Sequence, residues 1–221
     1  MATNHEIPPC PPLTGLILAG GAGQRVDGED KAWLPWHGQS LFEHTLARLT
    51  PQVTTIWVSA NRHLDRYQPW LDNGRIAAVV PDAWPGTPGP LAGLASALPR
   101  LRDATPTRDW ILITPVDTPC LPPALGEHLW QGLRQASPTA KLAVAWSRDQ
   151  THWLHLLMHK DLIDDLHASL EGGEHRVHVW CRSQSAVIVD MTRDEAAFAN
   201  FNRWIDFEQG LTSSSTARSE P

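Results

Sequence analysis

The chain has 221 residues, which is enough for one large domain or two small ones with a well-buried core. Acidic residues outnumber basic ones by 24 to 18, and the net charge of −6 argues against nonspecific binding to nucleic acid or to an anionic membrane. No apolar run approaches the roughly 20 residues of a membrane-spanning helix, and the N-terminus lacks the basic and apolar regions of a signal peptide. We therefore expect a cytoplasmic protein without a nucleic-acid or membrane partner.

The cysteines and histidines form no recognisable metal-binding motif. The three cysteines, Cys10, Cys120 and Cys181, are widely spaced and include no C-x-x-C pair, so neither a disulfide framework nor a zinc knuckle is indicated. Two of the 11 histidines, His152 and His155, lie in an apolar run typical of a strand. A spacing of three residues places them on opposite faces of a regular strand, so we expect no metal site there.

The two ends of the chain differ in composition from its centre. Residues 1–12 are rich in proline, and residues 211–221 are rich in serine and threonine. We predict that the first segment is disordered or loosely attached and that the second is a disordered tail. Between them the chain shows no internal repeat, and we predict a single domain over residues 13–210.

Apolar strands alternate with helices over the first 135 residues. The strands are predicted at residues 13–18, 53–59, 76–80 and 110–113. The helices are predicted at residues 40–49, 91–101 and 122–135. The first helix begins at Ser40, and Glu43 stands three residues later as its capping-box partner. The alternation predicts a parallel sheet covered by helices on both faces, with ligands at the carboxyl ends of its strands.

The pattern becomes less regular after residue 136. Two strands are predicted at residues 141–146 and 153–158, and the polar turn between them favours an antiparallel pair. A helix over residues 160–170 ends at a pair of glycines, and a last strand is predicted at residues 186–189. The predicted fold class is therefore α/β, with a mostly parallel sheet and a small antiparallel extension in the C-terminal half.

A glycine-rich loop follows the first strand. Gly20, Gly21 and Gly23 allow successive backbone N–H groups to turn toward one point and bind an anion. Arg25 and Lys31 add a planar donor group and a compact positive charge. The loop lacks the last glycine of a dinucleotide fingerprint and the Gly-Lys-[Ser/Thr] ending of a P-loop. It favours another kind of polyphosphate site, and the alternative is a turn that needs glycine only for its backbone angles.

Asp117 is the strongest candidate for a metal ligand. It follows a buried strand, and Pro115 and Pro119 stiffen the backbone on either side of it. Magnesium binds to carboxylate oxygen and usually keeps water and substrate phosphates as its other ligands. An aspartate at a strand end, facing a phosphate loop, meets that requirement. The alternative is that Asp117 caps the following helix.

Other polar residues also follow predicted strands. Gly20, Ser59, Asp82 and Asp117 each stand at or just beyond the end of a different strand, so they are expected to converge at one edge of the sheet. Asp82 could serve either a nucleotide or a metal ion. Asp30 precedes Lys31, and its role could be limited to orienting that lysine.

With these motifs, the chain resembles the molybdenum cofactor guanylyltransferases, a branch of the nucleotidyltransferases with a Rossmann-like three-layer α/β fold. Their signature is close to L-A-G-G-x-x-x-R-M-G-G-x-D-K, and the resemblance extends from about Leu13 to Glu208. The matching signature residues are Leu18, Ala19, Gly20, Gly21, Arg25, Gly28, Asp30 and Lys31. Further matches are A-N-R-H at residues 60–63, P-D at 81–82, G-P-L-A-G at 89–93, D-T-P at 117–119, and Asn200 and Asn202.

The resemblance implies a reaction and its participants. GMP would be transferred from GTP to the phosphate of molybdopterin, with release of pyrophosphate and with Mg²⁺ as the cofactor. Residues 13–135 would form the nucleotide-binding half of the domain and residues 136–210 the acceptor-binding half. A monomer is expected, and transient contact with molybdoenzymes or their chaperones is a further expectation.

The resemblance also assigns roles to individual residues. Lys31, Asp117 and Arg25 would be catalytic, and Asp117 would bind the metal ion. Asn200, Asn202 and Arg176 would bind the acceptor. The nucleotide-binding residues would be Leu18, Ala19, Gly20, Gly21, Lys31, Ser59, Asp82 and Asp117.

The chain departs from the family pattern at four places. Val26 replaces a methionine, and Asp27 replaces a glycine and adds a carboxylate beside the phosphate loop. Ser59 stands where a nucleotide-contacting asparagine is common, and it has fewer hydrogen-bonding options than an amide. The usual H-P-[TV] is His152-Trp153-Leu154, at one side of the acceptor pocket.

These departures leave other functions open. The first is a cytidylyltransferase acting on the same cofactor, or another small-molecule nucleotidyltransferase. The second is a nucleotide-binding homologue without turnover, which Asp27 and Ser59 keep in consideration.

Overall fold

The computed structural model describes residues 7–20, 30–83, 89–148, 150–199 and 201. The strands in these residues are β1 (Thr14–Leu18), β2 (Pro35–Trp36), β3 (Gln39–Ser40), β4 (Thr55–Ser59), β5 (Ala78–Val80), β6 (Trp110–Pro115), β7 (Leu142–Ser147), β8 (Gln150–His159) and β9 (Val187–Asp190). The helices are α1 (Leu41–Leu49), α2 (Gln68–Asp72), α3 (Pro90–Ala104), α4 (Leu125–Ala136), α5 (Ile163–Glu171) and α6 (Val177–Ser183). Short 3-10 helices lie at Lys31–Trp33, Thr50–Gln52, Leu64–Tyr67, Lys160–Leu162 and Thr192–Phe198.

The main sheet contains seven of the described strands, in the order β5-β4-β1-β6-β8-β7-β9. Strand β8 runs antiparallel to both of its neighbours, β6 and β7, and the other pairs in this sheet are parallel. Strands β2 and β3 form a separate small hairpin. The predicted sheet, mostly parallel with a small antiparallel part in the C-terminal half, is therefore confirmed.

Helices cover both faces of the sheet, as the apolar strands require. Strand β1 shows the division, because Ile17 packs on the face covered by α1, α2 and α4, whereas Leu16 and Leu18 pack on the face covered by α3, α5 and α6. Side chains alternate along a strand, so one continuous apolar run supplies both layers of the core. The three-layer α/β fold is confirmed.

The residues at the start of α1 predict its first turn correctly, but those before α4 place its start too early. At α1, the Glu43 N–H donates to Ser40 Oγ at 3.2 Å and the Ser40 N–H donates to Glu43 Oε2 at 2.8 Å, which is the predicted capping box. Helix α4 begins at Leu125 instead of the predicted Pro122. Pro122 itself precedes Pro123, and a residue before proline is disfavoured in helical conformation.

An irregularity in β8 overturns the prediction for His152 and His155. Ala145 pairs with His152 while Val144 pairs with Leu156, so extra residues of β8 bulge out between two adjacent positions of β7. The insertion breaks the alternation of side chains, and the two imidazoles come together with ring centroids 5.8 Å apart. The expectation that they point to opposite faces is wrong.

The bulge also buries the imidazole of His155. His152 Nε2 lies 2.7 Å from Ser147 Oγ, whereas His155 Nε2 has no hydrogen-bond partner among the described residues. Burial, with a smaller contribution from His152, lowers the pKa of His155 to about 3, and burial also lowers the pKa of His152. Both groups therefore stay neutral at physiological pH.

The buried His155 predicts acid sensitivity of the fold. Its pKa is lower in the folded chain than in the unfolded chain, so protonation of His155 favours unfolding. The stability that the neutral imidazole contributes to the fold is therefore complete above about pH 6.5 and is lost as the pH falls toward 3. We expect the free energy of unfolding to fall by about 2 kcal/mol between pH 7 and pH 5 from this residue. Urea unfolding of wild type and His155→Leu at both pH values measures it, with His175→Gln as an exposed control. An equal pH dependence in wild type and His155→Leu would contradict the assignment.

The N-terminal segment contacts the domain where it is described. Trp130 Nε1 donates to the carbonyl oxygen of Pro8 at 2.8 Å, and Cys10 packs against the core. These contacts hold part of residues 7–12 against α4, which the prediction of a disordered or loosely attached segment does not anticipate. The predicted tail at residues 211–221 lies outside the described residues. None of the described helices has the length and apolar character needed to cross a membrane.

Candidate active site

The carboxyl ends of β5, β4, β1 and β6 meet at one edge of the sheet because these four strands are parallel. Asp82 follows β5, Ser59 ends β4, Gly20 follows β1 and Asp117 follows β6. The convergence predicted from strand ends is observed. We call this edge the active edge and describe it from β5 toward β8.

The first turn after β1 is held by the neighbouring strand. The N–H groups of Ala19 and Gly20 both donate to the carbonyl oxygen of Ser59 at 2.8 Å. They turn toward one point as expected, but that point is a protein oxygen instead of a bound anion. The predicted contacts of Leu18, Ala19 and Gly20 with a nucleotide stay predictions, and these two N–H groups are already used. Gly21 and Arg25 lie outside the described residues.

Asp82 is held in place by Asn61, a residue for which the sequence predicts no site role. Asn61 Nδ2 donates to Asp82 Oδ2 at 2.6 Å, and the Asp82 N–H donates to Asn61 Oδ1 at 2.7 Å. The buried Ser59 adds a longer hydrogen bond, from its Oγ to Asp82 Oδ1 at 3.4 Å. The A-N-R-H match contained Asn61, but only its partner shows what it does. The predicted nucleotide contacts of Ser59 and Asp82 stay predictions.

A glycine in α3 allows this helix to lie close to Ser59 and Asp82. A Cβ atom on Gly93 would stand 2.8 Å from Ser59 Oγ and 3.2 Å from Asp82 Oδ1. Such distances are shorter than normal contacts, so any larger residue must displace one of the two side chains. The glycine of the G-P-L-A-G match is therefore required by packing at the active edge.

Gly93→Ala should lower the stability of the fold. Overpacking of this kind costs about 1–3 kcal/mol. Urea unfolding of the wild type and the variant measures the loss. Because Ser59 Oγ is the nearest atom, adding Ser59→Ala to Gly93→Ala should restore much of the lost stability. A double variant no more stable than Gly93→Ala would show that the contact is not the cause.

Lys31 and Asp117 form an ion pair at the middle of the active edge. Lys31 Nζ lies 3.2 Å from Asp117 Oδ2, and the two side chains are 21% and 20% exposed, so a ligand can reach both. Asp30 Oδ1 accepts a hydrogen bond from the Ala32 N–H at 3.1 Å and caps the short helix Lys31–Trp33. Asp30 thus orients the segment that carries Lys31, which agrees with the interpretation from sequence.

Hydrogen bonds hold the backbone around Asp117 on several sides. The Val116 N–H donates to the carbonyl oxygen of Leu18 at 3.0 Å, and Thr45 Oγ1 donates to the carbonyl oxygen of Val116 at 3.1 Å. The Phe201 N–H donates to the carbonyl oxygen of Asp117 itself at 3.0 Å. Helix α4 begins only at Leu125, with no side chain capping its first turn, so Asp117 does not act as its cap.

Two phenylalanines anchor the segment that leads to the predicted acceptor residues. Phe198 stacks on His152 with ring centroids 4.3 Å apart and an interplanar angle of 13°. Phe201 packs against Leu34, Leu41 and Trp36. Asn200 and Asn202, which flank Phe201 in sequence, lie outside the described residues, and their role stays a prediction.

Arg176 lies at the start of α6 and is paired with a nearby carboxylate. Its Nε and Nη2 donate to the two carboxylate oxygens of Glu174, both at 2.8 Å. These hydrogen bonds lower the pKa of Glu174 to about 2. The guanidinium is exposed and held in one orientation, and its predicted contact with the acceptor stays a prediction.

The described residues offer a metal ion one carboxylate at the centre of the active edge. They contain no cluster of three or more His, Cys, Asp or Glu side chains suited to hold a metal ion. Asp117 alone suits Mg²⁺, which is commonly bound by one or two carboxylates and completes its coordination with water and substrate phosphates. A magnesium ion that arrives with a triphosphate is therefore compatible with this donor set.

The chain is similar to a group of known proteins over nearly its full length. A family model described as "MobA-like NTP transferase domain" matches residues 15–187. A molybdenum cofactor guanylyltransferase of Cupriavidus necator is 37% identical over 193 residues, which cover 86% of this chain and 92% of the relative. One from Burkholderia cenocepacia is 38% identical over 200 residues, covering 89% and 94%. In structure, the chain is similar to molybdopterin-guanine dinucleotide biosynthesis protein A from Archaeoglobus fulgidus, with a TM-score of 0.70, 18% identity, and coverage of 92% and 100%.

Proposed function

The chain belongs to the family of MobA-like NTP transferase domains, and from this premise and the active edge we propose that it transfers GMP from GTP to the phosphate of molybdopterin. Membership confirms the resemblance predicted from the motifs and the prediction of a nucleotidyltransferase. The observation that carries the proposal for this chain is the Lys31–Asp117 pair, placed between the strands that carry Ser59 and Asp82 and the antiparallel strand β8.

The two sides of this pair suit two substrates. On one side, the turn at Gly20 and the fixed carboxylate of Asp82 suit a nucleoside with its ribose and base. On the other side, β8 and the segment at Phe198, which stacks on His152, belong to the half of the domain that we assign to the acceptor. This arrangement supports the predicted division into a nucleotide half at residues 13–135 and an acceptor half at residues 136–210.

The reaction is a displacement at the α-phosphorus of GTP. An oxygen of the acceptor phosphate forms the new P–O bond, the bond between the α-phosphorus and the bridging oxygen breaks, and pyrophosphate leaves. The attacking phosphate is already ionised near neutral pH, so no strong general base is needed. The residues must align the two phosphates and neutralise charge on the leaving group. In this proposal Lys31 binds the phosphates of GTP and stabilises the departing pyrophosphate.

In this proposal Asp117 is the residue that holds the metal ion at the phosphates. It would hold Mg²⁺ bound with the triphosphate, and the ion would supply positive charge at the α-phosphate and the leaving group. The hydrogen bonds to the carbonyl oxygens of Val116 and Asp117 keep its backbone fixed while the lysine exchanges its carboxylate partner for phosphate.

Pyrophosphate release with each nucleotide tests the proposal. Purified chain would be supplied with molybdopterin and Mg²⁺ and with GTP, CTP, ATP or UTP separately. Release with GTP alone, lost on chelation of the metal, is expected. Release with CTP instead would identify a cytidylyltransferase with the same fold and site. Binding of GTP without release would favour a homologue without turnover.

The remaining expectations belong to the same proposal. We propose that the chain acts in the cytoplasm as a monomer. Transient contact with molybdoenzymes or their chaperones would deliver the product to the proteins that use it. Size-exclusion chromatography with light scattering tests the monomer directly.

A further inference from the structure

A half-buried tryptophan and two basic side chains form a small surface beside the active edge. Arg182 Cζ lies 5.3 Å from the centroid of the Trp153 ring, a distance typical of a cation–π interaction. The His178 ring lies 6.0 Å from the same indole. His178 and Arg182 are four residues apart on α6 and so share one face of that helix. We call these three residues the indole platform.

The bulge in β8 creates this platform. The extra residues of β8 put His152 and His155 on the face covered by α4, and they put Trp153 and Leu154 against the core on the opposite face. Trp153 therefore meets α6 and remains partly exposed. Trp153 also stands where the family pattern H-P-[TV] has proline, so the platform is a feature of this chain and not of the motif.

The topology places the platform on the acceptor side of the active edge. Strand β8 is antiparallel to β6, so its beginning at Gln150 lies at the same edge as the end of β6. The last pair between them joins Ile113 to Leu156, and Trp153 lies beyond it in the direction of Asp117. The strands that carry Ser59 and Asp82 are on the other side of β6. A molecule that contacts Trp153 therefore approaches Asp117 from the side opposite to the nucleotide.

The platform has the chemistry to bind a flat, anionic heterocycle. An indole face stacks on a planar ring with little entropy loss, since the tryptophan is already half-buried and packed against the core. Arg182 is exposed and takes part in no ion pair within the described residues, so its N–H groups can bind an anion beside the indole. Molybdopterin combines a planar pyrimidine ring, part of its fused pterin, with anionic sulfur and phosphate groups.

We propose that Trp153 and Arg182 determine the affinity of this chain for its pterin acceptor, Trp153 by stacking on the fused ring and Arg182 by binding an anionic group beside it. This inference rests on the proposed function and adds a contact that the family pattern does not contain. His178 closes one side of the surface. In this proposal Trp153 and Arg182 do not contact the nucleotide. Substitutions of these two residues therefore affect acceptor binding and leave GTP binding unchanged.

Two substitutions of Trp153 separate stacking from packing. Trp153→Leu fills apolar space but has no aromatic face, whereas Trp153→Phe keeps a face. We expect Trp153→Leu to raise the KM for molybdopterin about tenfold, the loss expected for one stacking contact, and Trp153→Phe to raise it less than about threefold. Arg182→Met should raise the same KM severalfold, with Arg100→Met on α3 as an exposed charge control. The Kd for GTP should stay the same in all variants.

Direct binding of molybdopterin, measured by equilibrium dialysis without GTP, distinguishes this inference from the proposed function. Binding that weakens in Trp153→Leu and Arg182→Met but not in Trp153→Phe supports the platform, even if the wild type releases no pyrophosphate from GTP. Equal binding by wild type and Trp153→Leu would overturn the platform while leaving the guanylyltransferase proposal intact. Absence of binding to the wild type would overturn both.

Discussion

Asp117→Asn is expected to reduce the rate of pyrophosphate release by at least about a thousandfold, the largest effect of any single change at the active edge. Asparagine has the size of aspartate and keeps an oxygen for Lys31 Nζ, now 3.2 Å away, so the fold should remain. Its neutral amide is a poor ligand for Mg²⁺. Without metal, the variant should bind GTP as well as the wild type or better, since a negative charge at the centre of the active edge has been removed. Single-turnover kinetics and titration in chelator measure the two effects.

The same strand supplies a matched control. Asp109 precedes β6 at the opposite edge of the sheet and pairs with Lys160 Nζ at 2.7 Å. Asp109→Asn thus also removes a carboxylate from a lysine ion pair, but away from the active edge. It should leave turnover unchanged. Full activity in Asp117→Asn would remove the metal assignment, whereas loss of activity in both variants would point to a general effect on β6.

Lys31→Met should raise the Kd for GTP by about tenfold to a hundredfold. Lys31 forms an ion pair with Asp117, the candidate metal ligand, at the centre of the active edge. A hydrogen bond between its ammonium group and a phosphate of GTP should contribute about 1.5–3 kcal/mol to binding. Methionine keeps the apolar stem of the side chain, so the loss is confined to the ammonium group. Isothermal titration with GTP measures the change, and Lys160→Met is the control at the other edge.

A double-mutant cycle then tests whether the two residues act as a unit. Lys31 and Asp117 are in contact, so the effects of Lys31→Met and Asp117→Asn on turnover should not add. The double variant should be little worse than Asp117→Asn alone. Fully additive losses would mean that the ion pair seen in the structure has no part in the reaction.

The strands and the active edge are predictable from sequence because both depend on local patterns. A strand buried on both faces requires a continuous apolar run, and β1, β4 and β6 each show one. The carboxyl ends of parallel strands share an edge, so the residues that follow them must meet there. The positions of Ser59, Asp82 and Asp117 follow from this geometry alone.

Two kinds of contact could not be predicted from the sequence: contacts between distant segments, and contacts that depend on an interruption of the regular alternation of side chains along a strand. Asn61 and Asp82 are paired across two strand ends, and nothing in either segment indicates the other. The bulge in β8 adds residues to one strand only, so counting alternate positions puts His152 and His155 on the wrong faces. The apolar residues of α6, Val177, Trp180 and Cys181, have helical spacing, but this pattern is too short to distinguish a helix from a loop.

The central position of β1 also has a consequence for the synthesis of the protein. Strand β1 leaves the ribosome before both of its partners, β4 and, much later, β6. Parallel pairing between such distant segments forms slowly, and β1 keeps at least one unpaired edge until both neighbours have been made. A nascent chain that stops before Trp110 therefore exposes one edge of β1 and lacks Asp117, the carboxylate at the centre of the active edge.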